Sequence, residues 1–222
     1  QFENDAINKI TELFEKYDYL VLVGGSGLYI DAVCNGIDKT PNVSDEIRKK
    51  INLDFHKNGI SWLQEKIKEI DPKFYQKVDI NNPQRLKRCY EIYIATGKKL
   101  SSFHKKKKKK RDFDIIKIGI HTEREELYKK INYRVDEMIK NGFLNEVKAL
   151  IKYKNQNALN TVGYKELFNY FDQNIELDIA IEEIKKNTRR LAKRQLTWFR
   201  KDKNISWYLK SEKNKIIKAI LK

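Results

Sequence analysis

Apolar residues recur every three or four positions through most of this chain, which predicts a largely helical protein. One boundary is well marked, because Asn82 is a good cap, Pro83 suits a first helical position and Gly97 suits a helix end. Residues 44–96 contain no strand signal. Helices are predicted at about residues 4–16, from Leu28, from Ser44, and at 60–70, 72–78, 83–96, 123–141, 142–153, 163–171, 177–201 and the C-terminus.

Short apolar runs interrupt this helical period and predict strands. Tyr19–Val23 is apolar throughout and rich in β-forming residues, as in a buried parallel strand, and Phe113–Ile120 and Ile205–Tyr208 also have strand character. The turn Gly24-Gly25-Ser26-Gly27 follows the first run and precedes a helix, so a βα unit with exposed backbone N–H groups is predicted. The order indicates an α/β fold with a helical excursion between strands.

The helix that contains Lys185–Lys203 has two opposite faces, one of which packs while the other is basic. Gln195 falls among the packed residues and should have a fixed partner there, since an unpartnered amide costs about 1–3 kcal/mol. The packed stripe is Ala180, Ile181, Ile184, Thr188, Leu191, Ala192, Gln195, Trp198 and Phe199. The opposite stripe is Lys186, Arg189, Arg190, Lys193, Thr197 and Arg200.

The charge balance indicates a polyanionic partner. There are 47 Lys and Arg residues against 31 Asp and Glu residues, a formal net charge of +16.

Cys34, Cys89 and three scattered histidines do not form a zinc motif, so no metal site is predicted. No signal peptide is visible, and no apolar run approaches the roughly 20 residues of a membrane span. We expect a cytoplasmic monomer without a membrane partner.

Four local features are candidates for binding chemistry. The glycine turn can cradle an anion but is neither a phosphate-binding GxxxxGK[ST] loop nor a complete dinucleotide motif, and Ser26 is its one side chain able to touch a ligand. Gln84–Arg88 places three cations at a helix start, where the dipole disfavours them unless an anion binds. Arg134 lies about 20° from Leu127 on the helical wheel and needs an anion, either a structural carboxylate or a ligand phosphate. The run of six lysines at Lys105–Lys110 cannot pack into a core, and it indicates either a mobile solvated loop or a supporting phosphate contact.

In this order, these segments resemble the tRNA dimethylallyltransferases. The resemblance covers nearly the whole chain, and NPQRLKRCYE and the last stretch are its most specific parts. The matching stretches are VGGSGLYIDAV, SDEIRKKI, DPKFYQKVDINNPQRLKRCYEIYIATGKKLS, LYKKINYRVDEMIKNGFLNEVKAL, NTVGYKEL and TRRLAKRQLTWFRK.

The resemblance implies an α/β fold with a P-loop nucleotide-kinase-like parallel sheet core and an all-helical insertion. The corresponding division is residues 1–43 as core, 44–112 as helical insertion and basic loop, and 113–222 as core with the long basic helix. In the family, N6 of the adenosine adjacent to the tRNA anticodon attacks the allylic carbon of dimethylallyl diphosphate, and diphosphate leaves. The implied partners are therefore tRNA and dimethylallyl diphosphate, with Mg²⁺ as cofactor.

Individual roles follow from the matched positions. Ser26 stands where the family usually has threonine, a hydroxyl near the reacting amine, and Arg134 matches the arginine that neutralises the departing diphosphate. The positions that match tRNA-binding residues are Ser26, Arg48, Gln84, Arg85, Leu86, Lys87, Arg88, Asn160, Thr161, Val162, Gly163, Tyr164, Lys165, Lys193, Arg194, Gln195, Leu196, Thr197, Trp198, Phe199 and Arg200.

The chain departs from the family at its start. Family members begin with a phosphate-binding loop and an Asp-Ser-x-Gln segment that holds the proposed general base, and neither is present in these residues. The expectation is that the N-terminal part of the core is missing, that the Mg²⁺ ligands lie there, and that this polypeptide alone does not turn over.

Three other functions remain open on sequence grounds. An adenylate isopentenyltransferase would use free nucleotides, although two basic segments favour a macromolecular substrate. A non-catalytic tRNA-binding module would show salt-dependent binding without transfer. A small-molecule P-loop kinase is disfavoured because no phosphate-binding loop is visible.

Overall fold

The computed structural model describes residues 1–104 and 109–221, and the predicted helices are present with shifts of a few residues at their ends. Short 3₁₀ turns occur at Ile151–Tyr153 and Asn157–Leu159. The helices are α1 (Phe2–Phe14), α2 (Gly27–Asn35), α3 (Asp45–Ile70), α4 (Pro72–Tyr75), α5 (Pro83–Thr96), α6 (Leu100–Phe103), α7 (Arg124–Lys140), α8 (Phe143–Ala149), α9 (Tyr164–Phe171), α10 (Leu177–Phe199) and α11 (Lys213–Ile220). The strands are β1 (Lys117–His121) and β2 (Ile205–Leu209).

The described chain divides into two compact units. The first comprises Gln1–Leu20 and Asp31–Asp112, and the second comprises Val21–Ile30 and the chain from Phe113 onward. The division into residues 1–43, 44–112 and 113–222 stays a prediction. No helix among the described residues is long and apolar enough to cross a bilayer.

The first unit is built on the packing of α3 against α5. Its core contains Leu63, Ile67 and Leu86, all fully buried, together with Cys89. Burial, helped by the nearby charge of Asp71, raises the pKa of the Cys89 thiol to about 12, so this cysteine is unreactive near neutral pH. Gly59, with φ of +75°, interrupts α3, which explains why its sequence reads as two helices.

A buried carboxylate joins three short elements of this unit. The side chain of Asp71 accepts hydrogen bonds from the backbone N–H of Phe74 at 3.1 Å and of Ser101 at 2.8 Å. The first bond caps α4, and the second reaches the start of α6 from thirty residues away in sequence. The first bond adds to the backbone bond from the Phe74 N–H to the Asp71 carbonyl at 3.1 Å, and the second serves an N–H in the first turn of α6, so Asp71 fixes the path of the chain on either side of α5.

The basic segment after α6 is held in place where the structure describes it. Lys105–Lys108 lie outside the described residues, so the prediction for them is untested. Lys109 and Arg111 are anchored to Glu3 by ion pairs of 2.7 and 3.0 Å, and Arg111 also donates to the carbonyls of Ala32 and Val33. Lys109 and Lys110 lie in a loop, as predicted, with Lys109 held by the Glu3 carboxylate, and Arg111, which follows the lysine run, is held by the same carboxylate and two carbonyls of α2.

The Glu3 cluster predicts a loss of stability in acid. Burial alone would raise the Glu3 pKa, but hydrogen bonds from Lys109, Arg111 and the Ile37 amide lower it from 4.5 to about 2. Because the folded pKa is depressed, the stabilisation is complete above pH 4.5 and declines as the pH falls toward 2. We expect Glu3→Gln to remove about 1–2 kcal/mol at neutral pH and to flatten this dependence.

Urea unfolding at neutral pH and near pH 3 measures both effects. Glu12→Gln, an exposed glutamate on the same helix, is the control and should keep the wild-type pH profile. Equal pH dependence of the Glu3→Gln variant and the wild type would contradict the prediction.

The second unit packs α7, α8, α9 and α10 around one core and carries the sheet. Val135, Val147, Leu167 and Ile184 are buried in it. Strands β1 and β2 pair in parallel, with Lys117 opposite Ile205, and an ion pair of 2.6 Å joins Lys117 to Asp202 beside them. This parallel pair confirms the strands predicted in the segments 113–120 and 205–208, although the first begins only at Lys117.

The strand predicted at Tyr19–Val23 is wrong. This segment has no regular structure, and Val21 and Val23 are 84% and 86% exposed. A strand needs a neighbour for its backbone hydrogen bonds, and within residues 1–104 and 109–221 neither strand pairs with this run. Its apolar pattern is thus not matched by burial.

Candidate nucleic-acid interface

In the second unit, the glycine turn lies directly against the C-terminal half of α10. A Cβ atom on Gly25 would lie 2.6 Å from Nε2 of Gln195, and one on Gly27 would lie 2.3 Å from Cδ1 of Trp198. Only residues without a side chain allow this approach. The turn thus neighbours the Gln195 side chain, while the predicted partner of its amide, whether protein, water or ligand, stays a prediction, and exposed Ser26 lies between the two contacts.

The basic face of α10 is exposed from Arg190 onward, whereas Lys186 and Arg189 are half-buried against Glu183 and Asn132, and its apolar stripe is only partly covered. Ala180 and Ile184 are buried, whereas Leu191 and Trp198 are 40% and 41% exposed. The stripe was predicted to pack along its whole length, which is wrong for the C-terminal half among the described residues. Lys193, Arg194, Thr197 and Arg200 are exposed, and Gln195, Leu196 and Phe199 are half-buried.

The close approach at Gly27 can be tested by adding one methyl group. Gly27→Ala should cost about 1–3 kcal/mol, because its Cβ would overlap the rigid indole of Trp198. Gly24→Ala is the matched control, since its Cβ would meet only Ile30 at 3.9 Å. Thermal unfolding should show that Gly27→Ala lowers the stability of the wild type. The same substitution should lower the stability of the Trp198→Ala variant only a little, because the overlapping ring is then absent. A loss that persists undiminished in that double variant would contradict the contact.

The segment Asn160–Lys165 forms a turn that leads into α9. Asn160, Thr161 and Lys165 are exposed, Gly163 is buried with φ of +100°, and Val162 and Tyr164 are half-buried. The ring of Tyr164 packs edge-on against Phe143 at 5.4 Å between centroids. Its hydroxyl donates a short hydrogen bond to Glu146, which raises the Tyr164 pKa and fixes the ring. The turn thus presents polar groups on a rigid base.

Arg134 lies on an exposed part of α7 and lines a pocket of about 440 Å³. It does not point into the core as the helical wheel indicated, and no carboxylate within residues 1–104 and 109–221 forms an ion pair with it. Its charge remains available to an anion. The pocket is lined by Arg134, Glu137, Met138, Asn141, Phe143, Glu146, Val162 and Tyr164.

The pocket therefore brings Arg134 together with Val162 and Tyr164, which belong to the predicted tRNA-binding segment Asn160–Lys165. Ser26 is placed differently, against the end of α10, and among the described residues no hydrogen bond joins it to Arg134. The structure thus groups the sequence-predicted residues of this unit in two places.

In the first unit, the residues Gln84–Arg88 diverge in their surroundings. Gln84 and Arg85 are exposed, while Arg88 is half-buried, donates to Thr40 and Pro41, and lies 3.5 Å from Glu91. Leu86 is fully buried in the core. Its predicted tRNA contact is therefore wrong for the side chain, because the helix turns Leu86 away from its exposed face.

Arg48 and Lys87 are linked through α3. Nζ of Lys87 donates to Oδ1 of Asn52 at 2.8 Å, and Asn52 lies one helical turn from Arg48. Arg48 is exposed, with a 3.4 Å ion pair to Asp45 on the same helix. Such a surface pair is worth little, so Arg48 can exchange it for another anion.

A metal site is not found in these residues. Within the part of the chain that the structure describes, no group of three or more His, Cys, Asp or Glu side chains is placed to hold an ion. The Mg²⁺ that the resemblance implies therefore has no such group of ligands among the described residues.

Comparison with known proteins assigns these features to one family. Residues 1–202 match the family described as IPP transferase. The chain belongs to the IPP transferase family. It is 53% identical to a tRNA dimethylallyltransferase of Christiangramia forsetii over 97% of this chain and 72% of that protein. It is 48% identical to one of Flavobacterium psychrophilum over 99% of this chain and 74% of that protein.

Solved structures from the family have the same fold. The full-length tRNA isopentenylpyrophosphate transferase of Bacillus halodurans is 34% identical, with a TM-score of 0.60 over 93% of this chain and 65% of its own. A eukaryotic dimethylallyltransferase acting on tRNA is 26% identical, with a TM-score of 0.68 over 89% of this chain and 51% of its own. These neighbours confirm the predicted α/β core of P-loop-kinase type with a helical insertion.

Four residues that organise the site were not selected from the sequence. Glu146 and Glu166 hold Tyr164 and Gly163, Asn187 contacts Glu166, and Asp71 joins the elements around α5. Glu166 follows Gly163 by three positions, the spacing of a capping box, so a local signal for it existed. The partners of Asn187 and Glu146 are distant in sequence and left no such signal.

Proposed function

We propose that this chain carries the tRNA-binding and reaction-channel residues of an enzyme that transfers a dimethylallyl group from dimethylallyl diphosphate to N6 of the adenosine adjacent to the tRNA anticodon. The observation that carries the proposal is the turn Gly24–Gly27 docked on the basic end of α10. This contact holds the exposed Ser26 against the C-terminal half of α10, the helix that also carries exposed cations suited to an RNA backbone. Relatives that bear the name tRNA dimethylallyltransferase support it.

The reaction joins N6 of adenine to the allylic carbon and breaks the bond from that carbon to the diphosphate oxygen. The amine loses a proton, and the diphosphate leaves with the electron pair. Arg134 is suited to stabilise the negative charge of the leaving diphosphate, because its guanidinium is exposed in the pocket and has no ion-pair partner among the described residues. Ser26 supplies a hydroxyl that can accept a hydrogen bond from the attacking amine or donate one to the substrate.

The basic segments bind the tRNA that presents this adenosine. A base inside a stem–loop must leave its stack to reach a reactive centre, and contacts to the flanking backbone hold it there. In the second unit these contacts come from Lys165, Lys193, Arg194 and Arg200, and in the first unit from Arg48 and Arg85, all on exposed positions.

The test is a transfer assay on the protein that contains this chain, expressed as its gene encodes it. We expect mass spectrometry of digested tRNA to show dimethylallyladenosine after incubation with dimethylallyl diphosphate, and AMP to remain unmodified under the same conditions. Modification of AMP in preference to tRNA would favour a free-nucleotide enzyme, and salt-dependent tRNA binding without transfer would favour a binding module.

A further inference from the structure

Glu166 is a buried carboxylate that connects the turn Asn160–Lys165 with α10. Only 7% of Glu166 is exposed. Its Oε2 accepts a hydrogen bond from the backbone N–H of Gly163 at 2.7 Å, and its Oε1 accepts one from Nδ2 of Asn187 at 2.8 Å. Oδ1 of Asn187 accepts in turn from Arg190 at 3.2 Å. We call this hydrogen-bonded series, Gly163–Glu166–Asn187–Arg190, the Glu166 relay.

Burying a carboxylate costs free energy unless hydrogen-bond donors surround it, so the buried Glu166 is expected to have a structural role. If the only task of Glu166 were to accept the hydrogen bond from the Gly163 N–H, an uncharged side chain with a single acceptor would suffice. The second oxygen is occupied by a side chain from another helix, twenty-one positions away. Glu166 therefore does more than start α9, since it fixes the turn relative to α10.

The turn itself needs such a clamp. Gly163 has φ of +100°, and a Cβ there would approach Cζ of Phe143 to 3.0 Å, so its backbone is committed to one conformation. The exposed side chains of Asn160, Thr161 and Lys165 are positioned by that conformation. At the other end of the relay, Arg190 is exposed one turn before Lys193 on the same helix.

We infer that Glu166 and Asn187 are positioning residues for tRNA, which hold the turn Asn160–Lys165 and the basic face of α10 as one binding surface. Arg190 extends that surface by one helical turn beyond Lys193–Arg200. The inference rests on the proposed function, because it takes RNA as the ligand of both segments. Neither Glu166 nor Asn187 contacts RNA in this account; they act through Lys165 and Arg190.

The first test removes the link without removing the cap. Asn187→Ala leaves the bond between Glu166 and Gly163 in place, and should weaken tRNA binding about three- to tenfold in a fluorescence-anisotropy titration. Asn169→Ala, an exposed asparagine on α9, is the matched control and should bind within about twofold of the wild type. Asn187→Ser replaces the alanine variant if circular dichroism shows that the latter is unfolded at the assay temperature.

A rescue variant separates positioning from simple loss of structure. In Glu166→Gln, Oε1 can still accept from Gly163 and Nε2 can donate to a reoriented Asn187, so the link between turn and helix is kept, although Nδ2 of Asn187 then faces Arg190 and the last bond of the relay is lost. We expect a smaller loss of affinity from Glu166→Gln than from Glu166→Ala. Hydrogen exchange of the Gly163 amide should remain slow only in the former.

A double-mutant cycle decides whether the turn and α10 act together. If the relay positions Lys165, the loss of affinity caused by Lys165→Ala should be smaller in the Asn187→Ala background than in the wild type. Losses that simply multiply, or wild-type binding by Asn187→Ala, would overturn the inference while leaving the proposed function intact. Absence of tRNA binding by the wild-type chain would overturn both.

Discussion

Asp71→Ala is expected to lower the free energy of unfolding by about 2–4 kcal/mol, the largest stability loss for a single polar residue in the first unit. The side chain is fully buried and accepts hydrogen bonds from two backbone N–H groups, those of Phe74 and Ser101. Alanine would leave the Ser101 N–H without this acceptor and α4 without its side-chain cap, so that the Phe74 N–H keeps only the Asp71 carbonyl at 3.1 Å, and it would also leave a small void. The starts of α4 and α6 would loosen together, since one carboxylate serves both.

Urea unfolding followed by circular dichroism measures the loss, and two further variants define it. Asp71→Asn keeps one acceptor oxygen but places an NH₂ group against the other N–H, so it should also be destabilised. Asp18→Ala removes an exposed aspartate of the same unit and should change the stability by no more than about 0.5 kcal/mol. If Asp71→Ala were as stable as Asp18→Ala, the bridging role of Asp71 would be refuted.

The second large effect is expected in RNA binding. Lys193→Gln combined with Arg200→Gln should reduce tRNA affinity about tenfold or more, because both cations are exposed on the basic face of α10. Loss of two phosphate contacts should also make the slope of log affinity against log salt less steep by about 1.4–1.8. The stability should change little, since neither side chain is buried.

A matched pair of substitutions controls for net charge. Lys213→Gln with Lys218→Gln removes the same two charges from exposed positions on α11, in the same unit. If general attraction explained binding, both double variants would lose affinity equally. The account requires the α11 variant to keep the wild-type salt slope, and equal losses in both would disprove a localised interface on α10.

Elements with complete local signals could be predicted from the sequence. Helix α5 is the clearest case, because Asn82 caps it through a hydrogen bond to the Arg85 amide and Gly97 ends it with φ of +67°. Every group in those contacts lies within a few residues of its partner. The same holds for α3, where Ser44 accepts from the Ile47 amide and Gly59 marks the interruption.

Features that depend on distant partners could not be predicted in this way. Apolar, β-rich composition at Tyr19–Val23 indicates a strand, but pairing requires another segment at its edge, and composition does not reveal one. Arg134 lies near an apolar stripe on the helical wheel, yet its exposure depends on which helices cover α7. Periodicity gives the faces of an element, and only the packing of the chain decides which face is covered.

The residues of the candidate site show the same difference between what local sequence patterns predict and what depends on distant partners. Motif resemblance brought Leu86 into the list of tRNA contacts together with its neighbours, although its position on α5 places it in the core. Conversely, Asn187 lies within the basic segment Lys185–Lys203 but has no role assigned from its sequence, and gains one only from the contact with Glu166. A motif identifies a segment, while the structure separates the side chains that face outward from those that hold the segment in place.

The most direct test of the RNA interface is a lysine-acylation footprint of the chain with and without tRNA, read by mass spectrometry. The account predicts that tRNA protects Lys165 and Lys193, which are exposed in the first turn of α9 and on α10, and leaves Lys213 and Lys218 on α11 fully reactive. Protection of the α11 lysines with Lys165 and Lys193 still reactive would place the RNA elsewhere and contradict the account.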